Sequence, residues 1–258
     1  MGLVGSIFGG AIGFTLGGPI GAVVGSIIGH RLGESAKGPA SGGGWRGEGA
    51  PPVADSRQEA QAVFFVTTFS MLAKMAKADG RVSEEEIALI QRFMREQLRL
   101  SPEDERYAIE IFRNAKDSPH SFEDFARQFA QVFSSQPRMR EIMLDLLVRL
   151  AAADGTVHPA EESLLRRAAE IFGLGEELLE GVLGRHPADP SRHYAVLGLS
   201  AAASDQEIKA RYRQLVVQYH PDKIMAKGLP PEFVELAQKR FTEIQAAYEA
   251  ICAARGLH

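Results

Sequence analysis

Residues 218–223 read QYHPDK, and they interrupt what is otherwise a regular amphipathic helix. In the stretch before them, DQEIKARYRQLVVQY at 205–219, Ile208, Tyr212, Leu215, Val216 and Tyr219 recur at helical spacing on one face, while Lys209, Arg213 and Gln218 point elsewhere. Ser204 and Glu207 have the spacing of a capping box, which places the helix start. A proline disfavours further helix, and a histidine suits the negative dipole at a helix C-terminus, so His220-Pro221 by itself is an ordinary stop signal. The surroundings add more. Phe233, Ala237, Phe241, Ile244, Tyr248 and Ile251 form a second stripe of matching length, and the connection 220–231 is long enough for an antiparallel hairpin. His220, Pro221 and Asp222 therefore project from one tip of a unit of about 68 residues, where polar groups contribute little to a small core.

Upstream, residues 57–186 carry apolar positions at helical spacing, with breaks near Gly80, Ser101-Pro102, Pro119, Pro137, Gly155 and Gly173. About seven helices are predicted. Two turns echo each other: Ala-Asp-Gly-x-Val-x-x-x-Glu occurs at 78–86 and again at 153–161. One reading is capping, with Gly80 and Gly155 ending helices, Ser83 and Glu86 forming a capping box, and Pro159 in a first turn. The other takes Asp79, Glu86, Asp154 and Glu161 as ligands of one cation, brought together by pseudo-symmetric packing. His120, His158 and His186 stand scattered beside turns, and GxSxG, HExxH and GxxxxGK[ST] motifs are absent. No catalytic residue is expected here.

The N-terminus is different in kind. Residues 1–29 hold no charged side chain, and glycines fall at 5, 9, 13, 17, 21, 25, 29 and 33. On a helix this period keeps small residues on one face, where a second backbone can approach. Ile, Phe, Leu and Val fill the positions between, and the first basic side chain, Arg31, follows the apolar run, so neither a flexible tail nor a signal peptide fits. A membrane segment over 1–32 is predicted. Gly17-Gly18-Pro19 allows either a kinked single span or a short hairpin. Arg31, Lys37 and Arg46 then place residues 33–258 in the cytoplasm. Residues 33–56 are rich in Gly, Pro and Ser and read as a linker, as do 187–190.

Charge and cysteine usage exclude some classes. The net charge of −4 over 258 residues argues against a general nucleic-acid binder. The balance is uneven, since residues 191–258 hold nine Lys and Arg against seven Asp and Glu. A single cysteine, Cys252, excludes an internal disulfide and a cysteine-based zinc module.

Two resemblances follow from these residues. The paired Ala-Asp-Gly-x-Val turns in an all-helical stretch resemble the TerB-like fold of tellurite-resistance proteins, which implies an interaction module. The order Tyr194-x-x-Leu197-Gly198-Leu199, a capped basic helix, Tyr219-His220-Pro221-Asp222-Lys223 and KRFTEIQAAYEAI resembles the J-domain of DnaJ-type co-chaperones over about 191–252. That resemblance implies that His220, Pro221 and Asp222 trigger ATP hydrolysis by Hsp70. It also implies that Lys209, Arg211, Arg213 and Lys223 supply docking charge, and that Tyr212, Leu215, Phe241 and Ile244 are core.

With a membrane segment at 1–32, a TerB-like domain at 57–186 and a J-domain at 191–258, the chain resembles DjlA-type membrane-anchored co-chaperones. The expectation is an all-α, non-enzymatic partner of Hsp70 (DnaK) at a bacterial inner membrane, without cofactor, metal or nucleic acid. Its glycine face would pair two copies. The rival expectation is a membrane scaffold or cation-responsive stress protein with an accessory J-like tail.

Overall fold

The computed structural model describes residues 17–35, 56–78, 84–152, 157–175, 179, 183, 192–226 and 228–257. Every regular element among them is a helix, as expected of an all-α protein. The helices are α1 (Gly18–Ser35), α2 (Ser56–Ala76), α3 (Glu84–Glu96), α4 (Pro102–Asp117), α5 (Phe122–Val132), α6 (Pro137–Ala151), α7 (Pro159–Phe172), α8 (Arg192–Val196), α9 (Asp205–Gln218), α10 (Pro221–Ala226) and α11 (Pro231–Arg255).

The middle domain is built around α2. Its sequence AVFFVTTFSMLA, at 62–73, is apolar on every side and free of Gly and Pro, and residues 61–73 are all buried. A helix apolar all round must be surrounded, and α4, α5, α6 and α7 surround this one. Phe64, Phe129 and Phe133 meet edge to face or tilted, with centroids 4.6 to 6.5 Å apart. Local signals set the boundaries. Ser101 caps α4 by accepting from the Asp104 amide at 3.1 Å, and Ser121 with Asp124 forms a reciprocal capping box on α5. Pro137 and Pro159 open α6 and α7, and Gly173 closes α7 with φ of 65°. Six of the expected seven helices are described; of the seventh only Leu179 and Leu183 are.

The repeated turns are only partly described. Asp79, Asp154, Gly80 and Gly155 lie outside the described residues, as does the Glu86 side chain. Glu161 accepts from the His158 amide at 3.0 Å, which is the capping role. Among the described residues, no three His, Cys, Asp or Glu side chains gather as a cation site.

Residues 1–16 also lie outside the description, but α1 does not. It runs through Gly33 to Ser35, three residues into the expected linker. Ile20, Val23, Val24 and Ile27 are buried, and the helix packs on α4, α5 and α2. Gln128 of α5 grips its start: the side-chain oxygen accepts from the Ile20 amide at 2.8 Å, and the nitrogen donates to the Gly17 carbonyl at 2.6 Å. Gly17 and Gly25 face open space. The aliphatic face is thus spent on the middle domain, while Gly17 and Gly25 stay exposed. Among the described residues, no helix is long and apolar enough to cross a membrane.

The C-terminal unit docks on the opposite resource, a mixed polar and aromatic surface. Phe233 of α11 sets its ring edge-on to Phe64 at 5.1 Å and Phe65 at 6.3 Å. Gln61 donates to the Leu229 carbonyl at 3.4 Å. At Gly228 (φ 89°) a Cβ would stand 2.7 Å from that of Ala60, so only glycine lets the two backbones meet this closely.

Candidate partner-docking site

The tip at 220–223 is framed by two packed helices. Ser204 accepts from the Glu207 amide at 3.3 Å while Glu207 accepts from the Ser204 amide at 2.7 Å, so the expected capping box opens α9. The Ser204 hydroxyl, which donates to the same carboxylate at 2.7 Å, and then the Ser204 amide hold the exposed Glu207 carboxyl below its usual range. Ile208, Leu215 and Tyr219 are buried, and so are Phe233, Ala237, Ile244 and Ile251 opposite. Tyr212 and Phe241 are half-buried at the edge of the same core. Tyr212 lies flat on Tyr248, with centroids 3.8 Å apart and planes within 3°. At the far end, Arg255 bonds the Tyr194 hydroxyl at 2.7 Å and the carbonyls of Ala201 and Ala203 at 2.8 Å, tying α11 back to α8.

The chain leaves α9 through Tyr219 and turns at His220, whose carbonyl accepts from Lys223 at 3.0 Å and Ile224 at 3.2 Å. What the pattern presents as a loop is therefore a turn into a short helix, α10, pinned by the fully buried Ile224. The flanking anchors leave His220 and Asp222 outside. The His220 side chain is 48% exposed and that of Asp222 is 89% exposed, with Nδ1 and Oδ2 3.8 Å apart.

The four cations implied by resemblance do not stand alike. Arg213 and Lys223 are exposed and Lys209 is half-buried. Arg211 is turned inward: its Nε donates to the Leu197 carbonyl at 3.0 Å, and Nη2 lies 3.4 Å from where a Gly198 Cβ would be. Gln218, expected on the outer surface, is buried, because α9 ends against the middle domain, where Arg138 reaches the Val217 carbonyl at 3.4 Å.

Behind the tip lies a cluster that periodicity does not reveal. Tyr219 is buried with its hydroxyl facing Asp145, Arg240 and Glu141; burial pushes that hydroxyl well above its usual value, and the Asp145 charge adds to this. Burial also raises the Glu141 carboxyl, against the opposing pull of Arg211, Arg138, Arg140 and Arg240. Asp145 is 5% exposed and Arg240 5% exposed, and their Oδ1 and Nε are 3.7 Å apart. The one legible hint is Asp145 itself, a lone acid in IMLDLLV at 142–148, because a charge on a buried helix demands a partner.

Family profiles match three stretches of the chain. The profile of the tellurite resistance protein TerB matches residues 66–182, that of the DnaJ domain matches 192–255, and that of the co-chaperone DjlA transmembrane domain matches 1–34. The co-chaperone protein DjlA of Shewanella oneidensis is 33% identical over 210 residues, covering 76% of this chain and 80% of that protein. The DjlA proteins of Vibrio cholerae (36% over 232 residues, 78% and 81% covered) and Coxiella burnetii (35% over 215 residues, 76% and 79% covered) are similar. No solved structure matches the chain. The DnaJ match implies partnership with Hsp70, and the match at 1–34 points to a membrane-anchored protein.

Proposed function

Because the chain belongs to the DjlA family of J-domain co-chaperones, we propose that it recruits Hsp70 (DnaK) to a bacterial inner membrane and stimulates its ATP hydrolysis from the cytoplasmic face. The observation that carries this reading is the exposed tip: His220 and Asp222 face outward between the buried Tyr219 and Ile224. Two exposed polar side chains held in a fixed turn, His220 and Asp222, are suited to recognition by another protein.

His220, Pro221 and Asp222 form the trigger. Arg213, Lys223 and Lys209 present positive charge beside it, which gains mainly in encounter rate and orientation on an acidic surface. Arg211 completes the set from a position where its guanidinium also braces the turn at Leu197 and Gly198. The protein has no active site of its own, and the chemistry is Hsp70's. The TerB-like domain serves as the client, partner or signal module. The glycine side of the N-terminal segment, open at Gly17 just before α1 and at Gly25 on it, pairs two copies in the membrane.

Single-turnover ATP hydrolysis by purified Hsp70, with the full chain in lipid or detergent, tests the reading. The unmodified protein accelerates hydrolysis, and His220→Gln does not, while retaining its helical circular dichroism. Equal stimulation by both proteins refutes the trigger.

A further inference from the structure

Asp145 and Arg149 belong to α6 of the middle domain, and Arg240 and Glu243 belong to α11 of the J-domain. Together they close a ring of alternating charge. Arg149 Nε donates to Asp145 Oδ2 at 2.8 Å and its Nη2 to Glu243 Oε2 at 2.8 Å; Arg240 Nη1 reaches the same Glu243 oxygen at 3.3 Å; and Arg240 Nε returns to Asp145 Oδ1 at 3.7 Å. Two cations and two anions balance. The Asp145 side chain is 7% exposed, that of Arg240 6% and that of Arg149 17%. Only the Glu243 end opens to solvent.

Such a ring is a poor source of net stability, because removing charges from water offsets most of their attraction. What it supplies is register: any displacement of α11 along α6 strands a charge in the interior. Arg240 carries that register into the J-domain. Its Nη2 donates to the Val196 carbonyl at 3.0 Å, which fixes α8, and its guanidinium lies against the Tyr219 hydroxyl. Tyr219 is bonded in sequence to His220.

We propose that Asp145, a residue of the TerB-like domain, is a positioning residue for the Hsp70-docking tip, acting through Arg240 and Tyr219 to present His220 and Asp222 in one fixed direction. The link to Hsp70 rests on the function proposed above; the mechanical link from Asp145 to the tip does not. The middle domain is then part of the J-domain's presentation, and the two move as one body.

The test uses the full chain with Asp145→Asn, which keeps the shape and removes the charge. Glu243→Gln, at the solvent end of the ring, serves should the first variant fold poorly. Amide hydrogen exchange is followed at 219–224, with α4 and α5 as internal controls. Loss of either charge is expected to speed exchange at 219–224 at least tenfold and leave α4 and α5 unchanged. In the Hsp70 assay, the concentration for half-maximal stimulation rises severalfold while the maximal rate is kept, a split that general unfolding does not produce. Unchanged exchange at 219–224 in both variants overturns the proposal. His220→Gln separates the two claims: if it stimulates normally, the Hsp70 reading fails, and the exchange result still decides the clamp.

Discussion

The middle domain is gripped on two sides, and the grips are of opposite character. Helix α1 lies on it through Ile20, Val23, Val24 and Ile27, with polar fastenings at Gln128 and from the Ser26 hydroxyl to Asn114 Oδ1 at 2.9 Å. The J-domain lies on it through Phe233, the close approach at Gly228 and a buried charge ring. Aliphatic contact is non-directional, and acyl chains offer valine and isoleucine the same release from water that a protein groove does. A charge ring has no such substitute. The first contact is therefore exchangeable and suits a segment whose family counterpart enters membranes; the second is specific and suits a module whose tip must point somewhere.

The comparison breaks most visibly at Arg240. Arg240→Met removes a buried cation and leaves Asp145 and Glu243 sharing Arg149, and by precedent for broken buried pairs this costs about 3–5 kcal/mol. Chemical denaturation of the full chain measures it, and a loss below about 1 kcal/mol would mean that water already reaches the ring.

Gln128 tests the other side. Gln128→Ala gives up two hydrogen bonds to the start of α1, worth about 1–2 kcal/mol together in net terms. Protease cleavage within residues 17–35 should quicken accordingly in lipid-free buffer. With vesicles present the substitution should make no difference, and a persistent difference would argue that α1 stays on the protein.

The smallest effect concerns Glu141. Burial raises its carboxyl in the folded protein, so between the ordinary carboxylate range and that raised value the folded form binds more protons than the unfolded form. Stability attributable to this group is present in acid and falls as pH rises through the window. Glu141→Gln stays neutral throughout. It should match the parent protein at low pH and exceed its melting temperature slightly near neutrality; the reverse order would show that the surrounding arginines, not desolvation, dominate.

The hairpin was legible because its two stripes repeat at 3.6 residues and its caps lie at fixed offsets: Ile208, Leu215, Ile244 and Ile251 are core as the pattern requires. The exposure of His220 and Asp222 was legible for the same reason, since a tip between two matched helices has little else to touch. The docking of the two domains was not. Arg240 sits in KRF beside Lys239, and nothing local distinguishes the buried cation from the half-exposed one. Gln218 reads as a surface residue until α6 is laid against it. Contacts across about a hundred residues leave no periodic trace, and only the misplaced acid at 145 pointed to them. The short helix α10 was hidden too, because Pro221 reads first as a stop and only in context as a first turn.

The stacked Tyr212 and Tyr248 make one further thing accessible. Two phenol rings 3.8 Å apart and parallel couple their ultraviolet transitions, and four of the five tyrosines in the chain lie between 192 and 257, with Tyr107 alone in the middle domain. Near-ultraviolet dichroism in the tyrosine band is consequently a native optical gauge of hairpin closure. It lets the melting of the C-terminal unit be followed apart from that of the phenylalanine-rich bundle beneath it, with no dye or label attached.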